Sequence, residues 1–364
     1  MDYFISNYNV SCLNGADSVV LEDSIMQKGY PVTAGSKMLE SFTALFDAAV
    51  VEKLKAADAV ILGKTKMDEF GASGLFDKSE QLSAAVSAVA DGVSKFGLCN
   101  DYTGATAMQA AEQGLCYIHP TYGTVSRYGL IASASSMDQI GVVCRSPEDG
   151  FKMLSVISGY DERDGAMFPE NTAAAHTADA DFAKLRIGAP SNLCESGFDA
   201  SSVGQYAQNH ILVGFEMKYF DVYEQLMQIL CCAELSNNIS RYDGIKFGHR
   251  AKEYNSLREL YTKSRTEGFG MDVKLAAVAG AMVLSQDNYS ELYDHAMRVR
   301  NLVRGSLDFD AYDVIAMPAP CLSRLCGLPS ITMRGEGGAI TFIADACCED
   351  ILRNFAAKAE SAKD

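Results

Sequence analysis

The chain has 364 residues, and 48% of them are apolar, which is enough to bury a large hydrophobic core. Its 31 basic and 47 acidic side chains give a net charge of −16. This charge opposes the attraction to phosphate on which nucleic-acid binding depends, so we expect no direct contact with nucleic acid. We expect a single domain over residues 1–364, because α/β layers of this length often form one unit.

The eleven cysteines occur singly or as adjacent pairs, without the paired spacing of a zinc site or the framework of a small secreted protein. Residues 1–14 lack the basic start and apolar run of a signal peptide, and no segment is apolar over about eighteen residues. We therefore expect a cytoplasmic protein with reduced thiols, no membrane span, no metal and no other cofactor.

Apolar residues recur at helical spacing over 39–54, and the run 59–62 that follows is typical of a buried strand ended by Gly63. Similar short apolar runs follow at 140–144, 185–189, 314–317 and 340–344. Residues 161–181 lack periodicity and predict a surface loop. Amphipathic stretches at 215–239 and 275–307 predict two long helices. This alternation favours one α/β/α sandwich.

Several motifs carry a family resemblance: Ala-Gly-Ser-Lys-Met-Leu at 34–39, Gly-Lys-Thr-Lys-Met-Asp-Glu-Phe at 63–70, His-Pro-Thr-Tyr-Gly at 119–123 and Arg-Tyr-Asp-Gly at 241–244. Together with the segments between them, these motifs resemble the amidase signature family. Within that family the likeness is to the A subunits of glutamyl-tRNA(Gln) and aspartyl-tRNA(Asn) amidotransferases, which are glutaminases that supply ammonia. The resemblance implies the amidase signature fold, a mixed central β-sheet covered by helices on both faces.

Members of this family use a nucleophilic serine, a second serine with a cis backbone, and a lysine that receives the proton through the second serine. Lys64 fills the lysine position. Counting back from the motif at 119–123, Ala105 occupies the position of the nucleophile and Gln81 that of the second serine. Glu80 and Leu82 replace glycines whose backbone amides would hold the oxyanion. The triad is therefore incomplete, and the segment between residues 70 and 79 is short for the family.

Alternative interpretations of these positions remain open. Lys64 is also explained as a lysine that fills a polar pocket without a catalytic role. A shift of one residue would place Thr106 in the nucleophile position, although it would lack the relaying serine. Cys99 and Cys116 lie nearby in the sequence, but neither has an adjacent basic group, which favours buried structural cysteines.

The resemblance also indicates a substrate pocket. Arg300 is the candidate for binding a carboxylate, and Glu336 is the candidate for holding the amine of a glutamine. A solvated loop acid explains Glu336 equally well. Phe247 stands where the family carries a tyrosine hydroxyl.

We weigh three functional hypotheses. The first is a catalytically inactive homologue of the amidotransferase A subunits, truncated at its N-terminus and in the catalytic loop, that serves as a scaffold or regulator. Its partners would be the amidotransferase B and C subunits or an active paralogue of the A type. The second is an active divergent amidase or amidotransferase subunit that uses Lys64. The third is an amino-acid sensor that keeps the old glutamine pocket.

Overall fold

The computed structural model describes residues 3–8, 17–76, 83–169, 184–196, 198, 203–207 and 210–361. Within these residues eleven strands form one sheet: β1 Phe4–Asn7, β2 Ser18–Glu22, β3 Val60–Thr65, β4 Phe96–Asn100, β5 Cys116–His119, β6 Ile140–Cys144, β7 Arg186–Pro190, β8 Ile211–Phe215, β9 Val314–Met317, β10 Ser330–Gly335 and β11 Gly338–Ile343. The α-helices of the same residues are α1 Ala49–Ala56, α2 Ala84–Ala90, α3 Ala105–Glu112, α4 Pro147–Ile157, α5 Gly204–Ala207, α6 Tyr223–Ile239, α7 Leu257–Gly268, α8 Met271–Val283, α9 His295–Gly305, α10 Cys321–Cys326 and α11 Glu349–Ser361.

The strand order across the sheet is β1-β3-β2-β4-β6-β5-β10-β11-β9-β7-β8. Strands β3, β2 and β4 are parallel to one another, and so are β9, β7 and β8. The central strands β6, β5, β10 and β11 pair antiparallel and join the two parallel groups. The expected mixed central sheet is therefore confirmed.

Successive residues of the inner strands enter two separate hydrophobic cores. In β2, Val19 and Leu21 belong to the larger core, whereas Val20 belongs to the smaller one. Helices α2 and α3 cover the smaller core, and α1, α4, α6 and α8 contribute to the larger one. Because strand side chains alternate between the two faces of a sheet, both faces are covered by helices, as the α/β/α interpretation requires.

The strands predicted at 140–144 and 314–317 are confirmed with the same bounds. The predicted helix over 39–54 is wrong in its first half, because α1 begins only at Ala49. The backbone of Val32 donates a hydrogen bond to the carbonyl of Phe42, and that of Ala44 donates to Tyr30, so this stretch pairs as an extended segment. Leu45, which the helical spacing would bury, is 74% exposed.

The two long predicted helices are also shorter than expected. Phe215 is the last residue of β8, and α6 begins only at Tyr223. Between them Tyr219 has a φ of +60°, which is incompatible with a continuous helix from residue 215. The stretch 275–307 is divided between α8 and α9. At the break, the side chain of Asn288 donates to Ser285 and to the carbonyl of Met282, which competes with continued helical bonding.

Residues 161–169 contain turns and no helix or strand, as predicted for the start of the 161–181 loop, and the rest of that loop lies outside the described residues. Among the helices of the described ranges, none combines the length and the apolar character that crossing a bilayer requires.

Candidate active site

Lys64 lies inside the protein, next to the end of β2. It is opposite Leu21 in the parallel pair of β2 and β3, and its side chain is fully buried. Its Nζ donates a hydrogen bond to the carbonyl oxygen of Ile25 and lies 3.7 Å from Oδ1 of Asp23. Burial disfavours the ammonium form and lowers the pKa of Lys64 to about 8, although Asp23 and Glu22 act in the opposite direction.

Two buried acids accompany this lysine. Oε2 of Glu22 accepts hydrogen bonds from Oγ of Ser24 at 2.7 Å and from the backbone nitrogen of Asn100 at 2.9 Å. Oδ2 of Asp23 accepts from the backbone nitrogen of Thr33 at 2.9 Å and from its hydroxyl. Burial raises the pKa of Glu22 to about 8, and it also raises the pKa of Asp23. Lys64 is therefore the cation that faces the buried carboxyl group of Asp23, with Glu22 close by as a second acid held away from water.

Ala105 is the first residue of α3 and follows Gly104, whose φ of +88° makes a sharp turn after β4. The two carboxylate oxygens of Asp101 accept hydrogen bonds from the backbone nitrogens of Thr106 and Ala107, each at 3.0 Å. These bonds satisfy donors that the start of a helix leaves open. The backbone around Ala105 thus runs from a strand through a turn into a helix. The side chain of Ala105 is a methyl group, so no hydroxyl is present at the start of α3.

A short turn containing Gly74 lies directly against Ala105. A Cβ atom added to Gly74 would lie 2.7 Å from Oγ1 of Thr103 and 3.2 Å from Cβ of Ala105. The neighbouring Leu75 is buried, and its carbonyl accepts a hydrogen bond from Nε2 of Gln228 at 3.0 Å. The turn at Gly74 therefore packs close to Thr103 and Ala105, while Gly74 and Ala105 both stay partly exposed.

The structure does not link Lys64 to Ala105. In the described ranges, the recorded partners of Nζ are Ile25 and Asp23. Gln81, Glu80 and Leu82, which carry the prediction of a lost second serine and oxyanion site, lie outside the described residues. Their assignment therefore stays a prediction.

Sequence reasoning missed a buried ion pair behind the turn at Gly104. Nη2 of Arg324 lies 2.9 Å from Oδ2 of Asp101, and its Nε donates to the carbonyl of the same residue at 2.8 Å. Nη1 donates to the hydroxyls of Ser323 and Ser330 at 2.9 and 3.2 Å. A charged residue within the otherwise apolar stretch of α10 is the signal that would have indicated this pair, because buried charges require partners.

Arg300 is bound to other parts of the protein. Its Nη1 and Nη2 donate to the hydroxyl and carbonyl of Ser136 at 2.8 and 3.1 Å, and its Nε donates to the carbonyl of Leu325 at 2.5 Å. Ser136 in turn donates to the carboxylate of Glu234 from both its nitrogen, at 2.7 Å, and its hydroxyl, at 2.5 Å. This network fastens α9 to α6 and α10, and a ligand-binding role of Arg300 stays a prediction.

Glu336 is exposed in the two-residue turn that joins β10 to β11. Phe247 is largely exposed too and packs edge-on against the ring of Tyr242. No contact recorded for the described residues brings Glu336 or Phe247 to Arg300. The expected glutamine pocket and the role of Glu336 therefore stay predictions.

The alternative nucleophiles named from the sequence are Cys99, Cys116 and Thr106. Burial raises the pKa of the Cys99 thiol well above its usual range, which disfavours the reactive thiolate. Cys116 is buried in β5, and Thr106 lies one residue into α3. In the described part of the chain, no three His, Cys, Asp or Glu side chains converge in a way that would hold a metal ion.

A surface cavity of about 200 Å³ lies elsewhere, lined in part by Arg127, Ser135 and Asp164. The guanidinium of Arg127 already binds Asp164 with two nitrogens, at 2.8 and 3.0 Å, and the carbonyl of Ser135. This cavity does not include Lys64 or Ala105.

Comparison with known proteins identifies the family. The sequence profile of the family named Amidase matches residues 7–79 and 83–330. The chain is 36% identical to the A subunit of glutamyl-tRNA(Gln) amidotransferase from Lachnoclostridium phytofermentans, over 85% of this chain and 68% of that protein. It is 38% identical to the protein of the same name from Solidesulfovibrio magneticus, over 82% of this chain and 67% of the relative.

Solved structures agree on the fold. The A subunit of the Thermotoga maritima glutamyl-tRNA(Gln) amidotransferase superimposes with a TM-score of 0.72 at 23% identity, covering 98% of this chain and 86% of that one. The peptide amidase of Stenotrophomonas maltophilia gives a TM-score of 0.74 at 21% identity, covering 95% and 82%. At these identities the superpositions establish the fold alone. The profile match and the sequence relatives together show that the chain belongs to the amidase signature family and is similar to its amidotransferase A subunits.

Proposed function

We propose that this chain is a catalytically inactive homologue of the amidotransferase A subunits that serves as a scaffold or regulator. Its partners are the B and C subunits of the amidotransferase or an active paralogue of the A type. The observation that carries the proposal is Ala105, which takes the position of the family's nucleophile by its place in the sequence and brings only a methyl group to the first residue of α3.

The magnitude of the chemical loss supports this proposal. Removing the nucleophile of a serine triad lowers turnover by about a million-fold, and what remains comes from the oxyanion site and substrate binding. Here the position of the nucleophile carries a methyl group, and by sequence Glu80 and Leu82 take the positions of the glycines that would hold the oxyanion. This arrangement favours neither an oxyanion site nor substrate binding, the two sources of residual catalysis.

The environment of Lys64 supports a structural role for this residue. A general base must lie within hydrogen-bond reach of the proton that it removes. Nζ of Lys64 instead donates to the carbonyl of Ile25 and faces Asp23, whose Oδ1 has no hydrogen-bond partner among the described residues. Replacing Lys64 by an uncharged residue would leave the buried Asp23 without its facing cation.

The partner part of the proposal rests on likeness to proteins whose names describe them as subunits. Their similarity extends over more than four-fifths of this chain, and the helices on both faces of the sheet are present. A chain that keeps this fold without the family's nucleophile is suited to binding the same class of partner.

Ammonia release from glutamine tests the catalytic part. We expect no release above the uncatalysed rate from the purified chain, measured alone and with the B and C subunits of the same organism. The Lys64→Ala variant is the matched control, because it removes the last triad residue. Ammonia release that this substitution abolishes would refute inactivity.

Co-purification tests the partner part separately. The tagged full chain is co-expressed with the B and C subunits, with an authentic A-type paralogue, and with neither. We expect either the B and C pair or the paralogue to elute in fixed ratio with the chain. Elution of the chain without any of these proteins, at all salt concentrations tried, would contradict the scaffold role without bearing on catalysis.

One observation favours a second candidate, a divergent active amidase. The pKa of Lys64 is lowered to about 8, which suits a lysine that accepts a proton near neutral pH. In this case Thr106 would be the nucleophile. Loss of ammonia release in both Thr106→Val and Lys64→Ala, with both variants folded, would establish this alternative.

A further inference from the structure

Two cysteines lie directly opposite each other in the sheet. Cys116 is the first residue of β5 and Cys144 is the last residue of β6, and the antiparallel register of these strands pairs them. Residues paired in this way have Cα atoms about 4.5–5.5 Å apart and side chains on the same face. Disulfide bonds usually join residues whose Cα atoms are about 4.4–6.8 Å apart. The register alone therefore brings the two cysteines within reach of a disulfide bond.

The two sulfur atoms both lie beside the opposite strand. Sγ of Cys144 is 3.8 Å from the carbonyl oxygen of Cys116. Sγ of Cys116 is 3.9 Å from the carbonyl oxygen of Arg145, the residue that follows Cys144. Both cysteines belong to the large core. A bond between them requires rotation of the side chains, and the strands can stay where they are.

Other pairs of cysteines are less suited to such a bond. Adjacent residues have Cα atoms about 3.8 Å apart, which disfavours a disulfide within the pairs at 231–232 and 347–348. The two cysteines of α10 are its first and last residues, about 7.5 Å apart along the helix axis, which exceeds the usual span. Cys99 of β4 is paired with Gly141, so no thiol lies opposite it in β6.

The opposed pair is reached from the side of Cys116. This residue is 7% exposed, whereas Cys144 is fully buried. Helix α4 covers the second sulfur, since a Cβ atom added to Gly150 would clash with Sγ of Cys144. Just before β5, Gly114 is exposed in a turn. An incoming reagent therefore meets Cys116 first, and the burial of both thiols makes their reaction slow.

We propose that Cys116 and Cys144 form a reversible disulfide bond when the protein meets a small-molecule disulfide such as oxidised glutathione. The thiolate of Cys116 attacks one sulfur of the oxidant, which releases one glutathione and leaves the other bound to Cys116. The thiolate of Cys144 then attacks the sulfur of Cys116 and releases the second glutathione. Two protein thiols are oxidised, the small disulfide is reduced to two thiols, and the two protons pass to the departing thiolates.

The bond closes a loop around residues 117–143. Most of the residues that line the surface cavity come from this segment, among them Arg127 and Ser135. Ser136, which binds Arg300, lies in the same segment. In the chain-entropy account, a disulfide stabilises a protein mainly by restricting its unfolded chain. Oxidation should therefore raise the midpoint of thermal unfolding by about 3–8 °C. This inference is independent of whether the chain is catalytically active.

Peptide mapping of the full chain tests the proposal. The folded protein is equilibrated with graded ratios of oxidised to reduced glutathione, alkylated and digested with trypsin. We expect the peptide of residues 96–127 to become linked to that of residues 128–145 as the ratio rises, and dithiothreitol to separate them. Cys99 also lies in the first peptide, so Cys99→Ser is the matched control, and it should keep the link. Linkage through Cys99, or complete alkylation of Cys116 and Cys144 at every ratio, would overturn the proposal.

Two single variants test the order of the steps and the effect of the bond. Cys144→Ser should trap one glutathione on Cys116, whereas Cys116→Ser should leave the buried Cys144 unmodified. The oxidised parent should melt at a higher temperature than the reduced parent, and neither variant should show this difference. The peptide map of the parent does not depend on whether the variants fold. A link that forms in urea and not in the native protein would contradict the role of the strand register.

Glutathione found on Cys144 in the Cys116→Ser variant would contradict the proposed order of attack.

Discussion

The buried pair of Arg324 and Asp101 allows a quantitative prediction about how the turn before Ala105 is held. Both side chains are almost completely excluded from water. The carboxylate of Asp101 binds the guanidinium of Arg324 and also accepts hydrogen bonds from backbone nitrogens in the first turn of α3. Removing the arginine therefore leaves a buried carboxylate whose remaining partners are backbone amides.

Breaking such a pair by removing one partner costs about 3–5 kcal/mol, because an uncompensated charge stays buried. We expect Arg324→Met to lower the free energy of unfolding by this amount. Asp101→Asn should cost a similar amount, since it weakens the cap on α3 and leaves Arg324 unpaired. The double variant has no uncompensated charge, so it should be less destabilised than the sum of the two by about 2–3 kcal/mol.

Urea unfolding followed by circular dichroism measures all three variants against the parent protein. Arg298→Met is the matched control, because Arg298 is exposed and its ion pair with Asp294 lies at the surface. This control should change the free energy of unfolding by less than about 0.5 kcal/mol. Additive costs in the double variant, or a cost below about 1 kcal/mol for Arg324→Met, would refute the reasoning.

Three further predictions address the site. Ala105→Ser should not create measurable glutamine hydrolysis, since Gln81 takes the position of the relaying serine and the new hydroxyl would lack its proton relay; turnover in this variant would show that this assignment is wrong. Gly74→Ala should lower the free energy of unfolding by about 1–3 kcal/mol, because its Cβ would meet Thr103 at 2.7 Å, whereas Gly305→Ala has free space and should be nearly neutral in the same urea titration. Burial raises the pKa of Glu22 from 4.5 to about 8, so the folded protein retains a proton that the unfolded chain loses, and stability falls as pH rises through about 8. Glu22→Gln should flatten this part of the decline in melting temperature between pH 5 and 8, and an unchanged profile would count against a buried proton on Glu22.

Five of the eleven strands in the described residues correspond to predicted apolar runs, whereas β1 and β8, which were not predicted, have exposed residues. Strands 140–144 and 314–317 read as short continuous apolar runs, and the structure gives them the same bounds. The helix predicted over 39–54 failed because apolar spacing alone does not distinguish a helix from an extended segment. Val32 donates a backbone hydrogen bond to Phe42 there, which depends on a partner segment that local periodicity does not reveal.

The candidate site was predictable only in part, because local sequence does not reveal which distant segments surround a residue. The motif at 63–70 indicated Lys64, and counting along the chain placed Ala105 in the nucleophile position; that Ala105 begins a helix came from the structure. The surroundings of both residues come from distant segments. Lys64 meets Ile25 and Asp23 of the turn after β2, and Ala105 meets the turn at Gly74. Arg300 shows the same limit, because its bonds to Ser136 and Leu325 depend on packing between helices.

The order of strands in the sheet has a consequence for how the chain folds. Strand β5 pairs with β6, its near neighbour in sequence, and with β10, which is synthesised much later. Until β10 arrives, the four residues of β5 form an edge of the first half of the sheet whose open hydrogen-bonding groups can pair with other chains. Pairing across such separations also slows folding. A nascent chain that ends before residue 330 should therefore aggregate or recruit chaperones, and release of a soluble monomer from ribosomes stalled at that point would show that the first half folds without its later partner.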